Sequence, residues 1–362
     1  MYNRVGITPS SPEDNLIIAQ LYSYYIKYDT LLKLNEVVEP NGKGYINIYI
    51  DLYNIIKNVS EYVCKNKIYV ITSTIINLAG HYRFYYKTRH RLWARIYLVY
   101  ADGSNENHRV FMPSFGRDNE SYGSEWRAVN KNQNITNELE MVKILCGYIN
   151  DIYYIRKSAE FPEVVYDIIT HNPQDDINIV ITRSKYAYQL PAILNNTYLF
   201  RPKKTKEGDY SFIVAKNNAL LCYYNKAKSS GVMERLSYLD SGLLSVLMSI
   251  NGCREKKISS VANITKASSI VYNAVIENRI INGHNINTES LYNSLYGINR
   301  LMDASSFEYR FKALDLIYQH IIYDTSVESK DYSWNVNLKD PQTIHNINNT
   351  YFVANPLILD NF

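Results

Sequence analysis

The sequence predicts an α/β fold whose sheet is mostly parallel and flanked by helices. Two apolar runs typical of buried strands carry this prediction, YINIYIDL at residues 45–52 and ARIYLVY at residues 94–100. A third run, NIVIT at residues 178–182, lies further along the chain, and segments with helical spacing separate the three runs. Because strands joined through helices form right-handed crossovers, the connected strands are expected to be parallel.

The other elements are predicted from apolar spacing and from breaks rich in Gly, Pro, Asn or charge. The helices among them contain no internal proline, and the strands are short. In chain order they are an amphipathic helix over residues 12–34, a helix over 55–92, a surface loop over 103–137, helices over 138–151 and 163–170, short strands between 197 and 224, and a helix over 243–251.

Changes in this pattern divide the chain into four regions. Residues 1–44 form an N-terminal extension that ends in the breaker sequence EPNGKG, and residues 45–240 form the α/β core. Residues 241–302 form a small module of short helices, and residues 303–362 contain a last helix and an Asn-rich tail.

The composition is typical of a globular protein. The 362 residues are 46% hydrophobic and 20% charged, which provides for a core and excludes intrinsic disorder. The chain is rich in Asn and Ile beside 35 Tyr, and this bias toward AT-rich codons indicates a viral, phage or microbial genome. Its longest apolar stretch, residues 242–250, is too short to cross a membrane, and its start lacks the apolar run of a signal peptide. We therefore expect a protein that is not secreted, located in the host cytoplasm or packaged in a virion.

The second half of the long helix and the residues after it combine cations with aromatic rings. The sequence HYRFYYKTRHRLWAR places Arg83, Lys87, Arg89, Arg91 and Arg95 among tyrosines, a phenylalanine and a tryptophan. Cations neutralise phosphates and aromatic rings stack on unpaired bases, so this segment is a candidate nucleic-acid-binding surface. Since the net charge is only +4, binding of a polyanion depends on such local clusters. The structural alternative is a half-buried helix with core aromatics and solvated charges.

The order of these parts resembles that of the flap-endonuclease-like 5′ nucleases, a branch of the PIN-like fold. The resemblance spans residues 45–283 and rests on a strand ending in an acid (IYIDLYNII), a long basic helix, and a second strand ending in an acid (IYLVYADG). An acidic helix start (SAEFPEVV), a third strand running into TRSKYAYQL and a helical cluster complete the order. It implies a PIN-like core followed by a helix-three-turn-helix-like module that binds duplex backbone.

The resemblance also implies a metal site at the carboxyl ends of the strands, where ligands bind in open α/β sheets. By position, Asp51 and Asp102 match the first two metal-binding acids of the family, and Glu160 with Glu163 match its acidic helix start. These residues are the candidates to hold one Mg²⁺ or Mn²⁺. No other cofactor is expected.

Several acids of the family are replaced in this chain. Its motif of the form D-x-D-x-x-Q-L keeps only Gln189 and Leu190, because Ser184 and Tyr186 stand at the two acid positions. At the position of the last family acid, this chain has the basic segment 252–256 instead. Since two-metal hydrolysis needs several converging carboxylates, we expect a catalytically degenerate protein, a pseudoenzyme.

The predicted helical module carries a second cationic cluster. Its sequence GCREKKISSVANITKASSIV has the rhythm of a short helix, a turn and a helix, with Arg254, Lys256, Lys257 and Lys266 as candidate phosphate contacts. The turn lacks the glycines that let a DNA backbone approach closely. Structural helix packing is therefore an equal alternative for this segment.

Three functions remain open from the sequence. The expected one is binding of branched or single-stranded DNA, in preference to RNA, within viral or phage replication, transcription or virion machinery. The alternatives are an active metal-dependent 5′ nuclease or flap endonuclease, and a purely structural or protein-interaction role. Other viral or phage proteins are further candidate partners, and no membrane is expected among them.

Overall fold

The structure is a computed structural model. It describes residues 11–26, 45–90, 92–101, 133–157, 160–172, 176–184, 186–194, 196–200, 203–204, 210–216, 219–223, 241–252, 311 and 314–315.

The described residues contain eight strands. They are β1 (Tyr45–Asp51), β2 (Trp93–Ala101), β3 (Ile152–Lys157), β4 (Ile177–Ile181), β5 (Thr197–Phe200), β6 (Lys203–Lys204), β7 (Tyr210–Lys216) and β8 (Ala219–Tyr223). The first five are parallel and lie in the order β3-β2-β1-β4-β5. β7 pairs antiparallel with β5, and β6 and β8 each pair antiparallel with β7.

Helices flank this sheet, so the predicted α/β class with a mostly parallel sheet is confirmed. They are α1 (Pro12–Ile26), α2 (Leu52–Ser60), α3 (Lys67–His90), α4 (Gln133–Tyr148), α5 (Phe161–His171), α6 (Leu190–Ile193), which follows a 3-10 turn over Tyr186–Gln189, and α7 (Ser241–Asn251). None of the helices in the described ranges is long and apolar enough to span a bilayer.

The chain divides into two compact units. In the described residues, the first unit contains α1 to α4 with β1 to β3, and the second contains α5 to α7 with β4 to β8. The predicted helical module beyond residue 252 and the predicted last helix lie almost entirely outside the described residues.

Three parallel strands form the core of the first unit. The inner residues of β1 are isoleucines with at most 1% exposure, Ile46, Ile48 and Ile50. On the other face of the strands, the rings of Tyr49, Tyr97 and Tyr153 stack in a row, with centroid separations of 4.8 and 5.0 Å. These tyrosines are register partners along β1, β2 and β3. Part of the high tyrosine content of the chain therefore packs in the core of the first unit.

The helix predicted over residues 55–92 is two helices, α2 and α3. Two side chains stabilise the break between α2 and α3, one directly before α3 and one on α1. Asn66 caps α3, because its side-chain oxygen accepts a hydrogen bond from the Tyr69 N–H at 3.0 Å. The buried carboxylate of Asp14 on α1 accepts from the backbone N–H groups of Lys65 and Asn66 at 3.0 and 3.1 Å. A contact across some fifty residues thus fixes a break that local spacing does not reveal.

The helix predicted over residues 138–151 ends earlier, and a strand follows it. α4 ends at Tyr148, and Asp151 turns the chain with a positive φ of 60°. β3 then begins at Ile152 and pairs with β2. The segment IYYIRK was not predicted as a strand because it is short, ends in two cations and is not directly preceded by Gly or Pro.

The other described elements agree with their predictions in type. The runs at 45–52, 94–100 and 178–182 are strands, segments between 197 and 224 form β5 to β8, and helices occupy 163–170 and 243–251. The helix predicted over 12–34 is confirmed up to Ile26, and its remainder lies outside the described residues. Most of the loop predicted over 103–137 also lies outside them, and its last five residues belong to α4.

Candidate functional site

Asp51 lies at the carboxyl end of β1, as the metal-site prediction requires, and it also caps a helix. One carboxylate oxygen accepts a hydrogen bond from the Asn54 N–H at 3.4 Å, and the other accepts from the Asn54 side-chain amide at 2.8 Å. The side chain is 7% exposed. An acid at the first position before α2 is explained by capping alone.

Glu160 and Glu163 likewise stabilise the start of a helix. They form a capping box at α5, in which the Glu160 N–H donates to the Glu163 carboxylate at 3.0 Å. Glu163 has no exposed surface, and its negative charge lies in the first turn, where the helix dipole favours it. The acidic helix start therefore has a structural role in the second unit.

The described acids alone do not make a metal-binding set. Among the residues that the structure describes, no group of three or more His, Cys, Asp or Glu side chains could hold a metal ion. Asp102 lies outside these residues. A metal site that includes Asp102 stays a prediction.

Gln189, which matches the family motif, is a core residue of the second unit. Its side-chain oxygen accepts a hydrogen bond from the Ser245 hydroxyl at 3.0 Å, and its amide group donates to the Leu314 carbonyl. Gln189, Ser245 and Leu314 have no exposed surface. This buried junction joins the 3-10 turn before α6 to α7 and to the chain near Leu314.

The two positions where the family has acids are also structural. The Ser184 hydroxyl accepts a hydrogen bond from the Tyr186 N–H at 3.2 Å, and the Ser184 N–H donates to the Thr182 hydroxyl at 3.1 Å. The Tyr186 side chain is completely buried. An ionised acid at position 186 would need a buried partner to offset its desolvation, whereas tyrosine contributes its ring to the core.

Arg83, a predicted nucleic-acid contact, is held by the turn before β3. Its guanidinium donates to the Asn150 carbonyl at 3.2 Å and lies 3.4 Å from the Asp151 carboxylate. The Arg83 side chain is only 16% exposed. Arg83 thereby ties α3 to the start of β3.

The aromatic residues of α3 divide between core and surface. Tyr82 and Tyr86 are 2% and 0% exposed, which agrees with the structural alternative for this helix. Phe84 is instead 55% exposed, and Lys87, one turn further on, is exposed as well. The Lys87 ammonium lies 4.8 Å from the centroid of the Trp93 ring, which is 54% exposed at the start of β2.

A second pair of the same kind lies beside the first. Tyr45 is the register partner of Trp93 in the parallel pairing of β1 with β2, and it is 39% exposed. The Arg95 guanidinium lies 3.3 Å from the centroid of the Tyr45 ring. Trp93 and Arg95 are two residues apart on one strand and so share a face. We name the five residues Tyr45, Phe84, Lys87, Trp93 and Arg95 the aromatic–cation surface.

The sequence identified four of these five residues. Tyr45 was missed, because its place beside Trp93 follows from the register of two strands that are far apart in the chain. The Arg89 side chain and all of Arg91, Arg254, Lys256, Lys257 and Lys266 lie outside the described residues.

Within the first unit, the structure separates the aromatic–cation surface from Asp51. The surface lies at the amino ends of β1 and β2, whereas Asp51 closes β1 at its carboxyl end. A seven-residue strand is about 20 Å long. Lys87 and Asp51 therefore do not belong to one site.

No protein-family model matches the chain, and no curated protein matches it.

Proposed function

We propose that the protein binds nucleic acid, DNA in the first place, through the aromatic–cation surface. One observation carries the proposal, namely that the surface contains two cations, each against an aromatic ring, and three exposed aromatic side chains. Lys87 lies over Trp93, and Arg95 lies over Tyr45. Cations that neutralise phosphates and aromatic rings that stack on bases are thus adjacent in one unit.

The nuclease ancestry belongs to the same proposal. A PIN-like, 5′-nuclease-like origin is supported by the parallel sheet with Asp51 at the end of β1. Loss of catalysis is supported by Ser184 and Tyr186, which replace acids of the family motif and are used in the fold. In this proposal the protein serves viral or phage replication, transcription or virion machinery as a binding protein.

A salt titration of DNA binding tests the proposal. Wild-type affinity is expected to fall steeply with salt, and Lys87→Glu is expected to weaken binding and to reduce the slope of log K against log salt by about one. Lys57→Glu is the matched control, because Lys57 on α2 is an exposed lysine that also lies near an aromatic ring, Tyr53, at 5.8 Å. Binding by Lys87→Glu that equals binding by Lys57→Glu would contradict the proposal.

The same assay separates binding from cleavage. Nicked and 5′-flap DNA incubated with the protein and Mg²⁺ or Mn²⁺ is expected to remain intact. Cleavage that is lost in Asp51→Asn would favour the active-nuclease alternative instead.

A further inference from the structure

We infer that the aromatic–cation surface selects unpaired nucleotides and accommodates two neighbouring bases, one at Trp93 and one at Tyr45. This inference rests on the proposed function and adds the class of nucleic acid to it. It assigns one base position to each of two rings, whereas the salt titration of the proposed function tests only the contribution of the cations.

The spacing of the two rings supports two adjacent base positions. Trp93 and Tyr45 are register partners on neighbouring parallel strands, so their backbones are about 4.8 Å apart. Register partners also point to the same face of a sheet. Two successive unpaired bases can follow this spacing along a flexible single strand.

The exposure of the rings favours a single strand over a duplex. More than half of the Trp93 side chain and more than a third of the Tyr45 side chain are exposed. In a duplex the base faces are covered by their stacked neighbours, so these rings have no partner there. In a single strand every base offers a face, and each stacking contact contributes to affinity.

Each cation lies against one of the two rings, next to the base position that we assign to that ring. The Trp93 ring positions the Lys87 ammonium, and the Tyr45 ring positions the Arg95 guanidinium. Because the Arg95 guanidinium covers one face of the Tyr45 ring at 3.3 Å from its centroid, a base at this position stacks on the planar guanidinium or on the opposite face of the ring. Because the rings restrain both side chains before binding, less side-chain entropy is lost when the strand binds.

The test compares three labelled ligands with equal numbers of phosphates at low salt: oligothymidylate, a blunt duplex and an abasic oligonucleotide. We expect oligothymidylate to bind most tightly. Trp93→Ala should weaken oligothymidylate binding roughly tenfold to a hundredfold and should change binding of the duplex and the abasic strand by less than about twofold. Trp93→Tyr, which keeps a stacking face, should retain most of the affinity.

Tyr62→Ala is the matched control, because Tyr62 is 38% exposed and lies outside the aromatic–cation surface. Thermal melting of each variant verifies folding. Equal affinity for the three ligands, or a Trp93→Ala variant that binds like Tyr62→Ala, would overturn the inference. The proposed function would still hold in that case if binding depends on salt and on Lys87. If the wild-type protein binds none of the ligands, the proposed function fails and the inference fails with it.

Discussion

Ser245 donates a hydrogen bond of 3.0 Å to the side-chain oxygen of Gln189, and both side chains are completely buried. In a Gln189→Leu variant the Ser245 hydroxyl loses its acceptor on Gln189 and the Leu314 carbonyl loses the Gln189 amide as a donor, while the contact of 3.4 Å between these two groups is kept. We expect the free energy of unfolding to fall by about 1–3 kcal/mol, measured by urea denaturation.

Ser245→Ala provides the second side of a double-mutant cycle. Its effect and that of Gln189→Leu should sum to more than the effect of the double variant, because both remove the same hydrogen bond. Strict additivity, or a Gln189→Leu variant as stable as wild type, would contradict the structural role of this pair.

Asp14 connects α1 to the start of α3 through both carboxylate oxygens. Asp14→Ala leaves the N–H groups of Lys65 and Asn66 without these acceptors, and the free energy of unfolding is expected to fall by about 2 kcal/mol. The neighbouring acid provides the control. Glu13 is 63% exposed and pairs with Lys65 at the surface, so Glu13→Ala should leave the free energy of unfolding close to the wild-type value in the same denaturation experiment.

Arg83 and Asp151 are expected to contribute to stability more than to DNA binding. Asp151→Asn removes the charge but tolerates the positive φ of 60°, so it isolates the ion pair. Since Asp151 is more than a third exposed, the expected loss is about 1 kcal/mol or less. Binding of oligothymidylate by Asp151→Asn should equal wild-type binding. A large loss of affinity in this variant would show that Arg83 requires Asp151 in order to contact DNA.

Glu138 makes stability depend on pH. The side chain is 3% exposed, its carboxylate lies 3.6 Å from the Lys67 ammonium, and one of its oxygens has no hydrogen-bond partner among the described residues. Burial raises the pKa of Glu138 above the ordinary value of 4.5, and Lys67 offsets this only in part. Its contribution to stability is therefore fully present below pH 4.5 and is lost as the pH rises through the raised pKa.

Glu138→Gln tests this sign, because glutamine does not titrate. Relative to the variant, the wild-type protein should gain stability as the pH is lowered from 7 to 4.5. Unfolding free energies of both proteins across this range measure the difference. A wild-type protein that loses stability relative to the variant as the pH is lowered would mean that Lys67 outweighs burial at this site.

Elements that depend on neighbouring residues in the sequence were predicted, whereas features that depend on distant residues were not. β1 and β2 are apolar runs that local sequence reveals, and both were predicted. The break between α2 and α3 depends on Asp14, which is some fifty residues away. β3 was missed because Asp151, rather than a glycine, takes the positive φ before it.

The candidate site follows the same rule. Lys87, Phe84, Trp93 and Arg95 are close in sequence, so their combination of cations and rings was visible. Tyr45 joins them only through strand pairing. The structural uses of Arg83 and Gln189 were equally hidden, because their partners belong to other elements.

The stacked row of Tyr49, Tyr97 and Tyr153 has a consequence for how the strands find their alignment. A slip of one residue between β1 and β2 would place Tyr49 opposite Ile96 or Leu98, on the wrong face, and would break the ring contact. A similar slip of β3 would remove Tyr153 from Tyr97. Because the other side chains of these strands are mostly aliphatic, the contacts of the three stacked rings mark the correct alignment of the folding sheet.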